Sequence, residues 1–464
     1  MSLAKETIER LRHIVGKDDL LTSQASLLCY SYDATSIRHN PEAVALVENA
    51  REVSQILALA NQEKIPVVPR GGGTGLSGGS VPAVGGIVLD LQRMNRIVEI
   101  DAANLCAVVE PGVVTADLQA EVERRGLFFP PDPSSLKSST IGGNVAENAG
   151  GARGVKYGVT RDYVLGLEVV LADGRVLTTG GKQIKNVTGY DLTRLFVGSE
   201  GTLGVVTKAI LRLLPLPKYQ RSLMAVFPEI ENAGTAVAQI IAKGIVPTTM
   251  EIMDNTTIRC VEEYLSLGLP VKADAILLIE VDGEPETVDK QMPVIAALAR
   301  ENGASEVELA RDQQEADSLW RARRAVSPAL GRRRPSKVGE DISVPRSAVP
   351  AMIRKIQAIA QKHDLVIAIF GHAGDGNLHP NILCDRRDEA EMRRVHAAAG
   401  DIFAAALELG GTLSGEHGIG LGKQEYLQAD LGEVGVSVMR AIKLAIDPNN
   451  ILNPTKVFPE DPDR

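Results

Sequence analysis

At 464 residues, 44% hydrophobic and 23% charged, the chain has an ordinary globular composition and exceeds what one hydrophobic core organises, so two domains with a cap are expected. Its 59 acidic against 50 basic residues give a formal charge of -9, which repels a phosphate backbone and argues against nucleic acid as a partner. Four scattered cysteines (Cys29, Cys106, Cys260, Cys384) with no CxxC pair exclude a cysteine-built zinc or iron-sulfur centre and read as reduced, buried thiols.

In chain order, Leu3, Ile8, Leu11 and Ile14 recur at helical spacing, and REVSQILALANQE (51–63) repeats that amphipathic character. The start of the chain carries charges among its apolar residues and no hydrophobic leader core, and no apolar run reaches about 18 residues, so a cytoplasmic protein is expected, with peripheral membrane attachment through a partner left open. From residue 65 the texture changes. IPVVPR, GIVLDL, CAVVEPG, GLEVVLADG and GTLGVVTKAILRLLP are short aliphatic runs bounded by Gly, Pro or Asp-Gly, the pattern of strands, with TADLQAEVERRG between them as a helix. The prolines of LPLPK (214–218) mark a domain border. Beyond it, helical stretches (ENAGTAVAQIIAKG, EAEMRRVHAAAGDIFAAALELGG) alternate with strands (DAILLIEVDG, LVIAIFGH), with no internal repeat. The whole predicts mixed α and β structure.

RGGGTGLSGG (70–79) contains a formal GxGxxG at Gly73, Gly75 and Gly78. A Rossmann fingerprint must open a helix, whereas here Pro82 and Gly85-Gly86 lead into another strand, so that fold is disfavoured. Consecutive glycines can still wrap backbone N–H groups around a phosphate. A second glycine-dense segment, PPDPSSLKSSTIGGNVAENAGGARGVKYG (130–158), and a third, GSEGTLG (198–204), make a cofactor cradle the better reading than isolated tight turns.

GHAGDGNLHPN (371–381) sets two of only seven histidines around a Gly374-Asp375-Gly376-Asn377 turn. Strands on either side predict a hairpin that brings His372 and His379 together, with Asn381 on the face of His379. SGEHGIGLGK (414–423) adds Glu416 and His417. Two imidazoles and a carboxylate suit divalent zinc, iron or manganese with positions left for water or substrate. The basic run from Arg321 to Lys337 reads first as a solvated helical face.

Taken in order, PRGGGTGLSGG, PPDPSSLKSSTIGGNVAENAGG, GYDLTRLFVGSEGTLGVVT, GHAGDGNLHPN, SGEHGIG and DPNNILNPTKVF resemble the FAD-linked D-2-hydroxyacid dehydrogenases of the vanillyl-alcohol oxidase superfamily, which include glycolate oxidase flavoprotein subunits and D-lactate and D-2-hydroxyglutarate dehydrogenases. The resemblance implies an α+β architecture: a helical segment over 1–38, a two-lobed FAD-binding domain of the vanillyl-alcohol oxidase/p-cresol methylhydroxylase type over 39–217, and an antiparallel-sheet cap with the metal site over 218–464, whose C-terminal segment returns to the flavin. By the same likeness Arg70, Gly71, Gly72, Gly73, Thr74, Gly75, Ser77, Gly78 and Gly79 would wrap the FAD pyrophosphate. Pro131, Asp132, Ser134, Ser139, Gly142, Gly143 and Asn144 would line the rest, with Gly201 and Val205 near the adenosine end and Asn453 near the ring. Residues 70–79 contain no histidine to tether the cofactor, so noncovalent FAD is expected.

The family pattern further implies a metal, zinc first and iron or manganese next, on His372, His379 and Glu416, with His417 as general base. Arg323, Ser327 and Lys337 would bind the substrate carboxylate and Asn381 would join the catalytic group, while Arg332 to Arg334 match nothing and would be solvated or face a partner subunit. The implied reaction is oxidation of a small D-2-hydroxyacid, glycolate or D-lactate, to the 2-oxoacid by hydride transfer to flavin N5. Electrons would pass to a separate acceptor: a quinone, a cytochrome, an electron-transferring flavoprotein or an iron-sulfur subunit. Two other readings stay open, an iron oxygenase built on two histidines and a carboxylate, and a non-catalytic flavin electron-transfer subunit. A homo- or hetero-oligomer is compatible with this reading.

Overall fold

A computed structural model describes residues 3 to 459; residues 1–2 and 460–464, which the terminal domain ranges include, lie outside the described residues. The backbone groups into two units. The first holds the chain up to Gly151, Val159–Leu216 and everything from Glu416 onward; the second holds Ala152–Gly158 and Pro217–Gly415.

In the first unit, β1 (Leu20–Leu21), β2 (Ala43–Leu46), β3 (Val67–Arg70) and β4 (Ile87–Asp90) form a sheet of order β1-β2-β4-β3, with β4 parallel to both neighbours. Every residue of β4 is buried, as befits a parallel strand covered on both faces, which is why its sequence is a continuous run and not an alternation. The helix Ala50–Glu63 starts where the Asn49 side chain accepts the Glu52 N–H at 3.1 Å and stops at Lys64, whose φ is 53°. Its Val53, Ile56, Leu57 and Ala60 share a core with Leu11, Val67 and Leu89, while Leu3, Ile8 and Ile14 pack at the margin. Each fully buried aliphatic side chain there contributes roughly 1.5–3 kcal/mol.

A second sheet of this unit draws on β5 (Ile97–Asp101), β6 (Cys106–Val109), β8 (Val164–Val170), β9 (Val176–Gly180) and β10 (Val205–Arg212), antiparallel in the order β5-β6-β10-β8-β9. A short pair, β7 (Leu127–Phe128) with β11 (Leu214–Pro215), completes the strands before Pro217 begins the second unit.

The second unit is built on an antiparallel sheet of eight strands: β12 (Tyr219–Phe227), β13 (Thr249–Asp254), β14 (Ala275–Gly283), β15 (Glu306–Leu309), β16 (Ser336–Gly339), β17 (Ile342–Ser343), β18 (Val366–His372) and β19 (Asn377–Cys384). Their order is β15-β12-β14-β13-β18-β19-β16, with β17 also paired to β19. On one face Met253, Ile276, Leu278, Ala368, Phe370 and Leu383 pack against helices Asn255–Leu265, Gln313–Arg324 and Val326–Arg333 through Ile258, Ala322, Val326 and Leu330. The alternate residues Leu277 and Ile279 are equally buried, so the first half of β14, 275–279, reads as an unbroken aliphatic run.

Two expectations change. Cys29 is exposed, because the short helix Gln24–Cys29 buries no residue; the other three cysteines are buried and all four are free. Arg333 and Arg334 are engaged within the chain, with Glu263 at 3.1 Å and Glu391 at 2.6 Å, while Arg332 lies over the Tyr264 ring.

Candidate active site

β18 and β19 form the expected hairpin, turning through Ala373–Gly376. Gly376 adopts φ 86°, and a Cβ there would stand 1.9 Å from the Val344 carbonyl oxygen, so only glycine fits the turn. The register pairs His372 with Asn377 and Phe370 with His379, which puts both imidazoles on one face as diagonal neighbours. Their rings meet edge-on at 87° with Nε2 atoms 3.3 Å apart. Two Nε2 atoms converging while each Nδ1 turns elsewhere is the disposition of a ligand pair.

What lies behind each ring is a buried carboxylate. β13 pairs with β18 so that Glu251 is opposite His372, and Glu251 Oε1 hydrogen-bonds His372 Nδ1. Glu251 Oε2 accepts the Arg323 Nε–H at 2.6 Å. Burial alone would raise this carboxyl; the charge of Arg323 and the hydrogen bonds from Arg323 and His372 outweigh it and hold it at about 2. Asp341 Oδ1 stands 3.7 Å from His379 Nδ1 and accepts from Asn377 Nδ2 at 2.6 Å, while Asp341 Oδ2 accepts the Ser414 hydroxyl at 2.6 Å.

The same sheet face carries Asn381, whose Nδ2 donates to the His379 carbonyl, and Lys337 of β16, in register with Leu383 of β19. Lys337 Nζ donates to Ser327 Oγ at 2.8 Å, and burial lowers the lysine pKa. Arg323 sits in the last turn of Gln313–Arg324, its guanidinium 4.8 Å from the centroid of the Phe370 ring. The second unit thus brings His372, His379, Asn381, Arg323, Ser327 and Lys337 to one face of its sheet.

Glu416 and His417 belong to the first unit. There His417 Nε2 is 3.7 Å from Glu416 Oε1, and the loop that follows is held by Glu200, whose two oxygens accept the Ile419 and Gly420 N–H groups at 2.8 and 2.7 Å. Burial raises the Glu200 carboxyl, and it raises Glu147 further with the help of Glu200's charge. Asn453 Nδ2 bridges the carbonyls of Glu200 (2.7 Å) and Gly79 (2.9 Å), and Lys456 Nζ reaches Asn453 Oδ1 and the Val81 carbonyl. Desolvation depresses the Lys456 ammonium to about 8.

The glycine segments come together within the same unit. A Cβ on Gly72 would lie 2.3 Å from the Ser138 carbonyl oxygen, so the loop backbone rests directly on the second segment. Among the described residues, the N–H groups of Gly71 to Ser77 have no hydrogen-bond partner, a row of free donors suited to a pyrophosphate. Arg70 is tucked beneath, donating to the Tyr32 carbonyl and Ser80 Oγ, and Ser77 Oγ reaches Glu147. The side chains of Ser139 and Asn144 hydrogen-bond Thr115, Gly143 N–H caps onto Thr140, and the Pro131 carbonyl accepts from Gln119. These contacts brace the cradle. Ser134 is exposed, Gly201 takes φ 69°, and Val205 lies in the aliphatic core.

Two lobes of strands with a free-donor glycine loop, followed by a broad antiparallel sheet, define the fold of the vanillyl-alcohol oxidase type. The fold is matched by 4-ethylphenol oxidase from Gulosibacter chungangensis (TM-score 0.80, 23% identity, 98% of this chain and 97% of that one) and by p-cresol methylhydroxylase (TM-score 0.79, 19% identity, the same coverage). Residues 41–180 match the FAD binding domain model and residues 216–457 the model of the C-terminal domain of FAD linked oxidases. Among relatives, the glycolate oxidase subunit GlcD of Bacillus subtilis is 50% identical over 99% of this chain and 98% of its own length. That of Escherichia coli K12 is 40% identical over 96% and 89%, and the D-lactate dehydrogenase of Archaeoglobus fulgidus 38% over 92% and 95%. The chain belongs to the FAD-linked oxidase family and is an FAD-linked oxidoreductase. No helix among the described residues is long and apolar enough to cross a membrane.

Sequence reasoning missed Glu251, Asp341 and Glu200. For Glu251 the available signal was a carboxylate set among the apolar residues of MEIM within a strand.

Proposed function

We propose that the protein oxidises a small D-2-hydroxyacid, glycolate or D-lactate, to the 2-oxoacid with noncovalent FAD and a divalent cation, zinc first, on His372, His379 and Glu416. The observation that carries this reading is the single sheet face on which two imidazole Nε2 atoms converge beside Arg323, Ser327 and Lys337. The names of the relatives supply the substrate class.

Arg323 and Lys337 bind and orient the substrate carboxylate, and Asn381 adds a polar contact on the same face. His417 takes the hydroxyl proton at its ring nitrogen, the general-base role open to an imidazole lone pair. When bound, FAD supplies hydride acceptance, and the cation supplies ligation of the substrate hydroxyl, which lowers its pKa. Electrons leave to a separate acceptor: quinone, cytochrome, electron-transferring flavoprotein or iron-sulfur subunit. A cytoplasmic location with attachment through such a partner belongs to the same reading. The test is anaerobic: the FAD-replete protein is mixed with D- and L-2-hydroxyacids and its visible flavin absorption followed. Bleaching by glycolate or D-lactate but not L-lactate is expected; persistence of the flavin bands with every D-hydroxyacid refutes the proposal.

A further inference from the structure

Glu251 is a carboxylate 1% exposed in an inner strand, a position that costs several kcal/mol unless both oxygens are satisfied. They are satisfied by two groups of different purpose. One oxygen meets His372 Nδ1 and the other meets Arg323 Nε at 2.6 Å. The pairing follows from strand register, which sets Glu251 directly across from His372.

The consequences for each partner are specific. A histidine whose Nδ1–H is taken by a carboxylate is held in the tautomer that leaves the Nε2 lone pair free, and its ring cannot rotate away. An arginine bound through Nε keeps its two terminal nitrogens for another carboxylate, and the Phe370 ring beneath Arg323 fixes the plane of that fork. Asp341 Oδ1 stands 3.7 Å from His379 Nδ1, longer than a hydrogen bond, and the Asp341 carboxylate accepts from the Asn377 amide and the Ser414 hydroxyl. Glu251 joins an imidazole to the arginine, one carboxylate oxygen on each.

We propose that Glu251 is a positioning residue that couples the cation site to the substrate-carboxylate clamp, orienting His372 with one oxygen and Arg323 with the other. The inference rests on the function proposed above. It makes affinity for the cation and affinity for the hydroxyacid depend on one buried side chain that touches neither.

The test uses the full-length, FAD-loaded protein. Zinc affinity is measured by competition with a chromophoric chelator, FAD content by visible absorption, KM and kcat with D-lactate or glycolate, and stability by the fluorescence of the single tryptophan, Trp320. Glu251→Gln is expected to weaken zinc binding about 10- to 100-fold and to raise KM, with FAD content unchanged. Met253→Ala, two residues along the same strand and equally buried, is expected to lower stability while zinc affinity stays within twofold. If Glu251→Gln does not fold, Glu251→Asp carries the same expectation, because it keeps the charge but withdraws it by one methylene. Zinc affinity within twofold of the parent in the Glu251 variant overturns the inference, as does equal weakening by Met253→Ala. A parent that binds no zinc sensitive to His372→Ala overturns the cation site itself, and the inference with it; parental binding without an effect at Glu251 overturns the inference alone.

Discussion

Replacing Asp254 by asparagine tests how the strand that carries Glu251 is anchored. Asp254 ends β13 and caps the helix Asn255–Leu265, accepting the Thr257 N–H at 2.8 Å. Burial at 4% exposure outweighs its hydrogen bonds and raises its pKa from 3.8 to about 6. The folded carboxyl therefore holds a proton that the unfolded chain has already released, so stability falls as pH rises from about 4 to about 6 and is level above. A shift of this size corresponds to about 3 kcal/mol at pH 8, and about half is already lost at pH 5. Asparagine caps a helix as well as aspartate and carries no charge to desolvate. Asp254→Asn should stabilise the second unit by up to about 3 kcal/mol at pH 8, a gain clearly larger than at pH 5. Trp320 lies in this unit, its Nε1 donating to Ser222 Oγ at 3.1 Å, so urea unfolding followed by its fluorescence reads that unit directly. An equal effect at both pH values, or a variant less stable at pH 8, refutes the reasoning.

Three further outcomes bear on the chemistry. His417→Ala should retain FAD and metal yet slow flavin reduction by about 100-fold or more, checked by anaerobic stopped-flow; unchanged kinetics contradict the base assignment. Treatment with a chelator should abolish reduction by substrate while the flavin stays bound, and full activity in a sample shown to be metal-free contradicts the cation's role. Ser327→Ala removes one hydrogen-bond partner of Lys337 and should raise KM about 2- to 10-fold with little change in kcat, the effect of one such bond; a selective fall in kcat would point to a different role.

The sequence carried those features that depend on residues close together in the chain. Aliphatic runs between turn residues marked β3, β4, β6, β8 and β10, and the Gly-Asp-Gly-Asn stretch marked the hairpin, because strand pattern and turn chemistry are local. The convergence of His372 and His379 followed from that hairpin alone. Glu251 was not legible, because its meeting with His372 is set by the β13–β18 register, a pairing across 121 residues. Cys29 departed from expectation for a related reason: its helix is too short to cover itself, and only packing decides which faces stay exposed.

Patterning also shows why the polar cluster stands where it does. Along one face of β18, Ala368 and Phe370 lie in the apolar core beneath Val326–Arg333, and His372 is the next residue of that face. Along β13, Met253 gives way in the same manner to Glu251. Both strands change from apolar to ionisable at the same level, and Arg323 comes from the last turn of a helix covering that core. A polar side chain in place of Met253 would lie within the cluster of Ile258, Val326 and Leu330. One step along the face, Glu251 and His372 partner each other, so on β13 and β18 the aliphatic layer that stabilises the second unit ends where the ionisable pair begins.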